Sequence, residues 1–349
     1  MYSSSKYNNE INDKEQHFIT KIMRNYNLNV ENIQKKRSVY KIKTQIGNVC
    51  LKKISRNRHK VTNGYNLVNM LYNQDFIYTP KYIKTVKKEL IIKYKKSNFY
   101  LTEWIDGEEC NMSDMKDMLN SIKLLGQFHV KCKNIDVKSL KLKNNLKDWS
   151  KDFNKKIFDL QRFFNFIEYK KIKYEFDNKY YEYMNNFSSR ALSSLNLLNS
   201  SNYYKLCSDA KSYTTICHNS FYYQNVIKKE NNYYLIDLNS IIIDLQISDL
   251  GKFIRRLMFK KNYKWDFNIA KSIINEYNSV NKLSKDELEV MLSLIIFPYK
   301  FWKLGNKRYI KHKNWNEAKY MHKLKKIIEC DELQQKFLED FLKYINSYY

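Results

Sequence analysis

Three side chains in residues 216–240 have types and spacing that phosphoryl transfer could use. Asn225 follows His218 by seven positions, and Asp237 follows Asn225 by twelve. Moving a phosphoryl group needs positioned charge more than covalent chemistry: a lysine on the phosphates, metal ligands, and a carboxylate that orients the attacking hydroxyl. An amide oxygen and a carboxylate are hard ligands of the kind magnesium takes beside substrate phosphates. The matching loop pattern is H-x-D-x-x-x-x-N followed by a metal-binding Asp. In this chain the carboxylate position of that loop is Ser220. A serine at neutral pH cannot accept a proton as a carboxylate does, and losing a general base typically costs about 10²- to 10⁴-fold in rate.

The surrounding elements must bring a lysine to that loop. Residues 1–13 are a polar leader, and from Glu15 the apolar spacing of Phe18, Ile19, Ile22 and Met23 predicts a short amphipathic helix. The stretch SVYKIKTQIGNVCLKKI alternates on either side of Gly47 and Asn48, which predicts a β-hairpin turning there. A helical stripe (Val61, Leu67, Val68, Met70, Leu71) follows, and YIKTVKKELIIKYKKSNFYLTEWI supplies two further strands. Strand parity puts Cys50 and Lys52 on one face and Leu51 and Lys53 on the other. After residue 107 the pattern turns helical, with Ser113 as the expected cap of a long helix and SKDE (Ser284, Glu287) as a capping box further on. Short strands return only around the polar constellation. The reading is an α+β, two-lobed fold: leader 1–13, β-rich N-lobe 14–105, and a helical C-lobe 106–349 that carries the altered loop.

Composition limits the alternatives. With 43% hydrophobic and 15% aromatic residues in 349, the chain can build a large core and does not resemble a disordered one. The formal charge of +27 would suit phosphate backbones. Lysine is spread along the whole chain with abundant Asn, Ile and Tyr, however, as an AT-rich coding bias would spread it, so a nucleic-acid role is disfavoured. Six cysteines without CxxC spacing read as buried, reduced thiols. No apolar run approaches the roughly 18 residues of a membrane span, and the polar N-terminus is unlike a signal peptide.

The segments CHNSFYYQN, YLIDLNSIIIDLQISDLGKFIRRLM and FPYKFWKLGNKRY carry a resemblance. Their loop resembles that of the aminoglycoside- and choline-kinase-like phosphotransferases, HGDxxxxN followed by a hydrophobic-Asp segment. Together they look more specifically like the CotS-type spore coat proteins, over roughly residues 20–345. The resemblance implies a protein-kinase-like fold, with Lys52 as the phosphate lysine. Lys52 could equally be an ordinary exposed lysine at a strand end. It further implies a hinge at Glu103, Trp104 and Ile105 that meets an adenine, Asn225 and Asp237 as metal ligands, and His218 and Asp249 as loop-holding groups. His129 reads as a core histidine.

Several departures from the family pattern bear on catalysis. Ser220 replaces the base, Asn219 replaces a small glycine, and no Gly-rich loop precedes the first hairpin. The helix at 59–74 contains no acid to pair with the lysine, and Asp75 lies just beyond it. The resemblance therefore implies a spore coat structural or assembly protein, a pseudokinase with ATP and Mg2+ as its only implied cofactors. Its implied partners are other spore coat proteins, and its implied course runs from mother-cell cytoplasm to spore coat. The alternative is an active ATP-dependent phosphotransferase of the same superfamily, using Asp237 or Asp244 as its carboxylate or relying on positioning alone.

Overall fold

The computed structural model describes residues 11–54, 57–133, 135–146, 148–213 and 215–348, so the expected leader lies outside the described residues up to position 10. The chain divides into two compact units, residues 1–142 with 218–241, and residues 143–217 with 242–349.

The first unit is built on an antiparallel sheet. Helix α1 (Asp13–Met23) opens at Asn12, whose side chain accepts the Glu15 N–H, and buries Ile19, Ile22 and Met23. Strands β1 (Asn32–Lys36), β2 (Val39–Thr44) and β3 (Gly47–Ile54) follow, then α2 (Arg58–Tyr72), β4 (Tyr82–Ile83), β5 (Ile92–Tyr94) and β6 (Ser97–Glu103). The strand order is β1-β2-β3-β6-β4, with β5 also paired to β6. Two expectations change here. The β2–β3 turn lies at Gln45 and Ile46, while Gly47 is the first residue of β3 at φ +104°, a conformation that favours glycine. And β1, whose register puts Ile33 opposite Ile42, adds a strand to the expected pair. Ile42, Val49, Leu51 and Leu101 are buried with the α1 residues in one cluster.

The short β7 (Glu108–Glu109) and helix α3 (Met115–Cys132) complete the first part of this unit. Asp114, not Ser113, caps α3: its carboxylate accepts the Asp117 N–H at 3.0 Å. A charged acceptor next to the helix N-terminus outcompetes the neighbouring hydroxyl. His129 is buried on this helix, as expected. The chain later returns to the unit as a hairpin, Val226–Lys229 with Asn232–Leu235, and β7 pairs with its first strand.

The second unit is helical: α4 (Trp149–Glu168), α5 (Glu175–Glu182), α6 (Met184–Ser200), α7 (Tyr203–Tyr213), α8 (Ile247–Met258), α9 (Phe267–Val280), α10 (Lys285–Ile296), α11 (Tyr299–Gly305), α12 (Glu317–Ile328) and α13 (Asp331–Asn346). A two-residue strand pair, Ile216–Cys217 with Ile242–Ile243, joins it. Helix α10 is apolar almost all round and packs against α6, α8 and α13. Each fully buried aliphatic side chain there is worth about 1.5–3 kcal/mol. The Ser284–Glu287 capping box forms as expected. None of the six cysteines is in a disulfide, and five of them are buried. No helix among the described residues is long and apolar enough to cross a membrane.

Candidate functional site

Lys52 sits in the middle of the sheet, opposite Val39 on β2 and Tyr100 on β6. Parity decides between the neighbouring lysines: Lys53 is exposed, whereas the Lys52 side chain keeps 15% of its surface and turns inward. Its Nζ lies 3.6 Å from Asp237 Oδ1. Burial works against the Lys52 charge, but its acidic neighbours, the Asp237 carboxylate among them, outweigh burial and hold the ammonium above the ordinary lysine range. Burial likewise pushes the Cys50 thiol up.

Asp237 lies just beyond the hairpin strand and not inside it. The strand ends at Leu235, and Asp237 follows at φ +68°, in the left-handed region, which aims its carboxylate at Lys52. Asn239, two residues on, donates to Asp237 Oδ1 at 3.5 Å and to the Tyr100 hydroxyl, and accepts from the Tyr82 hydroxyl at 2.7 Å. A glycine makes room for this network. A Cβ on Gly64 of α2 would come within 2.2 Å of the Tyr82 oxygen and 2.8 Å of Asn239 Oδ1. Helix α2 presents no acid to Lys52, and exposed Asp75 does not replace one. Asp237 is the lysine's ion-pair partner instead. The cavity beside the pair, lined by Lys52, Val68, Thr79, Tyr82, Thr102 and Asp237, measures about 10 Å³, room for about one water. Gly64, Tyr82, Tyr100 and Asn239 were not among the residues the sequence singled out.

The loop from His218 is held by its own polar groups. The Ser220 N–H donates to His218 Nδ1 at 3.2 Å, so the proton sits on Nε2, which donates to the Ile236 carbonyl at 3.0 Å. His218 is fully buried, and its ring links the Ser220 N–H to the Ile236 carbonyl. Asn225 Nδ2 donates to the Ser220 carbonyl at 2.9 Å and lies 3.3 Å from Ser220 Oγ. Its own carbonyl accepts from Ile236 N–H at 3.0 Å, which ties the loop to the segment carrying Asp237. Asn219 stands at φ +60°, where the glycine of the resembling loop would sit at ease. Asn tolerates that conformation better than other side chains, so this departure preserves the backbone path.

At the expected hinge, Glu103 is exposed and its carboxylate accepts the Lys81 N–H at 2.8 Å. The Glu103 N–H is bonded to the Lys81 carbonyl and the Trp104 N–H to the Asn48 carbonyl. Trp104 lies under Lys41, 5.3 Å from its ring centre, and Ile105 is half-buried. Beyond it, a Cβ on Gly107 would meet the Lys228 carbonyl at 2.3 Å, so only glycine lets the chain pass the hairpin this closely.

The structure thus gathers Lys52 with Asp237, and His218 with Ser220 and Asn225, within one unit. An amide and a half-exposed carboxylate are a hard-oxygen pair of the kind Mg2+ accepts when phosphates and waters complete its shell. No group of three or more His, Cys, Asp or Glu side chains with metal-ligating geometry occurs among the described residues. Asp244 and Asp249 belong to the other unit and are buried. Asp244 Oδ1 accepts the Trp149 indole N–H and the Leu245 N–H, both at 2.9 Å. That carboxylate is a structural anchor.

A sheet with an inward lysine, a helical remainder, and a loop–hairpin carrying Asn and Asp define the fold of the aminoglycoside-kinase-like phosphotransferases. An aminoglycoside phosphotransferase from Alicyclobacillus acidocaldarius superimposes with a TM-score of 0.83 over 99% of both chains at 17% identity. Spectinomycin phosphotransferase superimposes with a TM-score of 0.62 over 92% of this chain and 98% of its own, at 14% identity. Within that fold, the chain belongs to the family described as "Spore coat putative kinase YutH", which matches residues 19–341. It is also similar to spore coat protein S of Bacillus subtilis, 24% identical over 256 residues, 72% of each chain.

Proposed function

We propose that this protein is a structural or assembly component of the spore coat, built on a kinase-like frame whose phosphoryl-transfer site has lost its base but kept its nucleotide contacts. The observation that carries the reading is at Ser220. The loop position of the general base holds a hydroxyl, 3.3 Å from the Asn225 amide nitrogen. In this reading residues 14–105 serve as N-lobe and 106–349 as C-lobe. Lys52 faces nucleotide phosphates, Asn225 and Asp237 hold Mg2+, and the backbone at Glu103, Trp104 and Ile105 borders the adenine. Bound Mg2+ would neutralise phosphate charge. His218 keeps the loop in place, and no residue at position 220 removes the proton of an acceptor hydroxyl. The protein would be made in the mother-cell cytoplasm and join other coat proteins.

The test is calorimetric titration with ATP and Mg2+, paired with a turnover assay on wild type and Ser220→Asp. Binding without turnover is expected in wild type, with binding lost in Asp237→Ala. Robust wild-type turnover that Asp237→Ala abolishes would refute the proposal. It would establish instead an active phosphotransferase, which the intact Lys52–Asp237 pair favours.

A further inference from the structure

The segment FPYKFWKLGNKRY and the residues after it play no part in the site above, yet they assemble a concentrated positive surface in the helical unit. From Lys303 to Lys323 the sequence contains a single acid, Glu317, and that residue is committed to Arg308 at 2.8 Å. The lysines of this stretch converge on one indole. Lys307, Lys319 and Lys323 place their ammoniums 4.5, 4.9 and 5.3 Å from the centre of the Trp315 ring. Lys303, Lys311 and Lys313 are exposed around them.

The charges are held together by backbone, not by counter-charges. After α11 the chain makes a π-turn, Asn306–Ile310, closed by the Lys311 N–H on the Asn306 carbonyl. The Lys313 N–H then returns to the Lys307 carbonyl at 2.8 Å, and the Trp315 N–H to the Lys313 carbonyl at 2.8 Å. Buried Tyr320 sets its hydroxyl 2.8 Å from the Lys313 carbonyl and 3.3 Å from that of Lys307. The loop is therefore fixed before any ligand arrives. Partial burial and the neighbours Lys303, Lys323, Lys313 and Lys311 hold the Lys307 ammonium below the ordinary lysine range. On the adjoining face, burial first and then Arg255, Lys323 and Lys326 push Lys300 down to about 8. Like charges held in this way are relieved by an anion that spans several of them.

We propose that the Lys303–Lys323 surface around Trp315 is a docking site for an acidic protein segment, one presenting several carboxylates within a few residues. The chemistry favours that occupant over a nucleic acid. Single strands are gripped by open aromatic faces on which bases stack. Here the Trp315 ring is already covered by three ammoniums. The exposed cations are lysines, and the one arginine in the stretch, whose fork suits phosphate, is paired with Glu317 and lies over the Tyr320 ring. The proposal leans on the coat-assembly reading only in taking the partner to be a protein.

The probe is a fluorescein-labelled peptide of alternating Glu and Ser, titrated into the full chain by fluorescence anisotropy at several salt concentrations. Saturable, salt-sensitive binding is expected. The triple variant K307Q/K319Q/K323Q should weaken it about tenfold or more. The control K116Q/K123Q/K155Q, which removes equal charge from exposed lysines elsewhere, should change it by less than about twofold. If the first triple variant does not fold, K303Q/K311Q/K313Q, exposed at all three positions, carries the comparison. Equal losses in site and control variants would overturn the proposal, and so would no binding. Tighter binding of an oligo-dT of equal charge with the same variant pattern would replace the proposed partner by nucleic acid. The assay contains no ATP, so its failure leaves the degraded-site reading standing, and failure of the ATP test leaves this surface standing.

Discussion

Lys52 and Asp237 are paired at 3.6 Å, and the lysine is the more deeply buried partner, with 15% of its side chain exposed against 39% for the carboxylate. Removing the exposed partner strands the buried one, while removing the buried partner leaves a carboxylate that water can reach. The two deletions should therefore cost different amounts of stability. Asp237→Asn is expected to lose about 1–3 kcal/mol and Lys52→Met at most about 1 kcal/mol. Urea denaturation of both variants checks this, and equal losses would mean that the pair is effectively solvated.

The network beyond that pair makes a second prediction. Gly64→Ala puts a methyl group 2.2 Å from the Tyr82 oxygen and 2.8 Å from Asn239 Oδ1. The helix-propensity gain of about 1 kcal/mol from replacing glycine is outweighed by a clash of about 1–3 kcal/mol that shifts the Asn239 side chain. Tyr82→Phe alone leaves Asn239 short of a donor and should cost about 1 kcal/mol. In the double variant the nearest clashing atom is gone, so the combined loss should be smaller than the sum of the two single losses. A double-mutant cycle on thermal unfolding reads this directly, and additive losses would show that Tyr82 is not the obstacle.

Periodicity and loop spacing made the frame legible. Alternation in β3 put Lys52 and Lys53 on opposite faces, and the His218–Asn225–Asp237 spacing marked the loop, but only the folded sheet shows that the Lys52 face is the buried one. What escaped were features that depend on distant partners or on local competition. Tyr82 and Asn239 lie 157 positions apart, and nothing in either neighbourhood marks them as bonded. Ser113 and Asp114 are adjacent good caps, and only the completed helix shows which accepts the Asp117 N–H. The left-handed turn at Asp237 belongs to the chain's exit from the hairpin, and the apolar residues around it carry no sign of that turn.

The conformation of Asn219 separates loss of catalytic chemistry from loss of loop shape. At φ +60°, with Nδ2 3.3 Å from the Ser240 carbonyl, it occupies a backbone state that glycine reaches freely and a β-branched residue reaches only under strain. Asn219→Gly should change stability by less than about 1 kcal/mol, whereas Asn219→Val should cost about 1–3 kcal/mol. Thermal melts of the two variants decide the matter. A tolerated valine would mean that the loop is free to re-form elsewhere.

Asp244 gives the chain a pH dependence of unusual sign. Burial pushes its carboxyl up to about 6, against the pull of Lys252, the Leu245 N–H and the Trp149 indole. In the unfolded chain an aspartate titrates near about 3.9. Between about pH 4 and about pH 6 the folded state therefore holds a proton that the unfolded state has released. Stability contributed by this group falls as pH rises through that window and is level above it. Most paired aspartates behave oppositely. Buried Asp177, for example, is desolvated but held below the usual carboxylate range by Lys170, the Tyr174 N–H and Tyr309, so its contribution is lost as pH falls. Asp244→Asn removes the titration while its Oδ1 can still accept from Trp149 and Leu245. The stability of the variant relative to wild type should thus rise by about 1–3 kcal/mol between pH 4 and pH 7. Denaturant titrations of both proteins at pH 4, 5, 6 and 7 measure that difference, with all other titrating groups cancelling. A difference that stays flat across the series would mean that Asp244 is ionised in the folded protein at pH 4 as well.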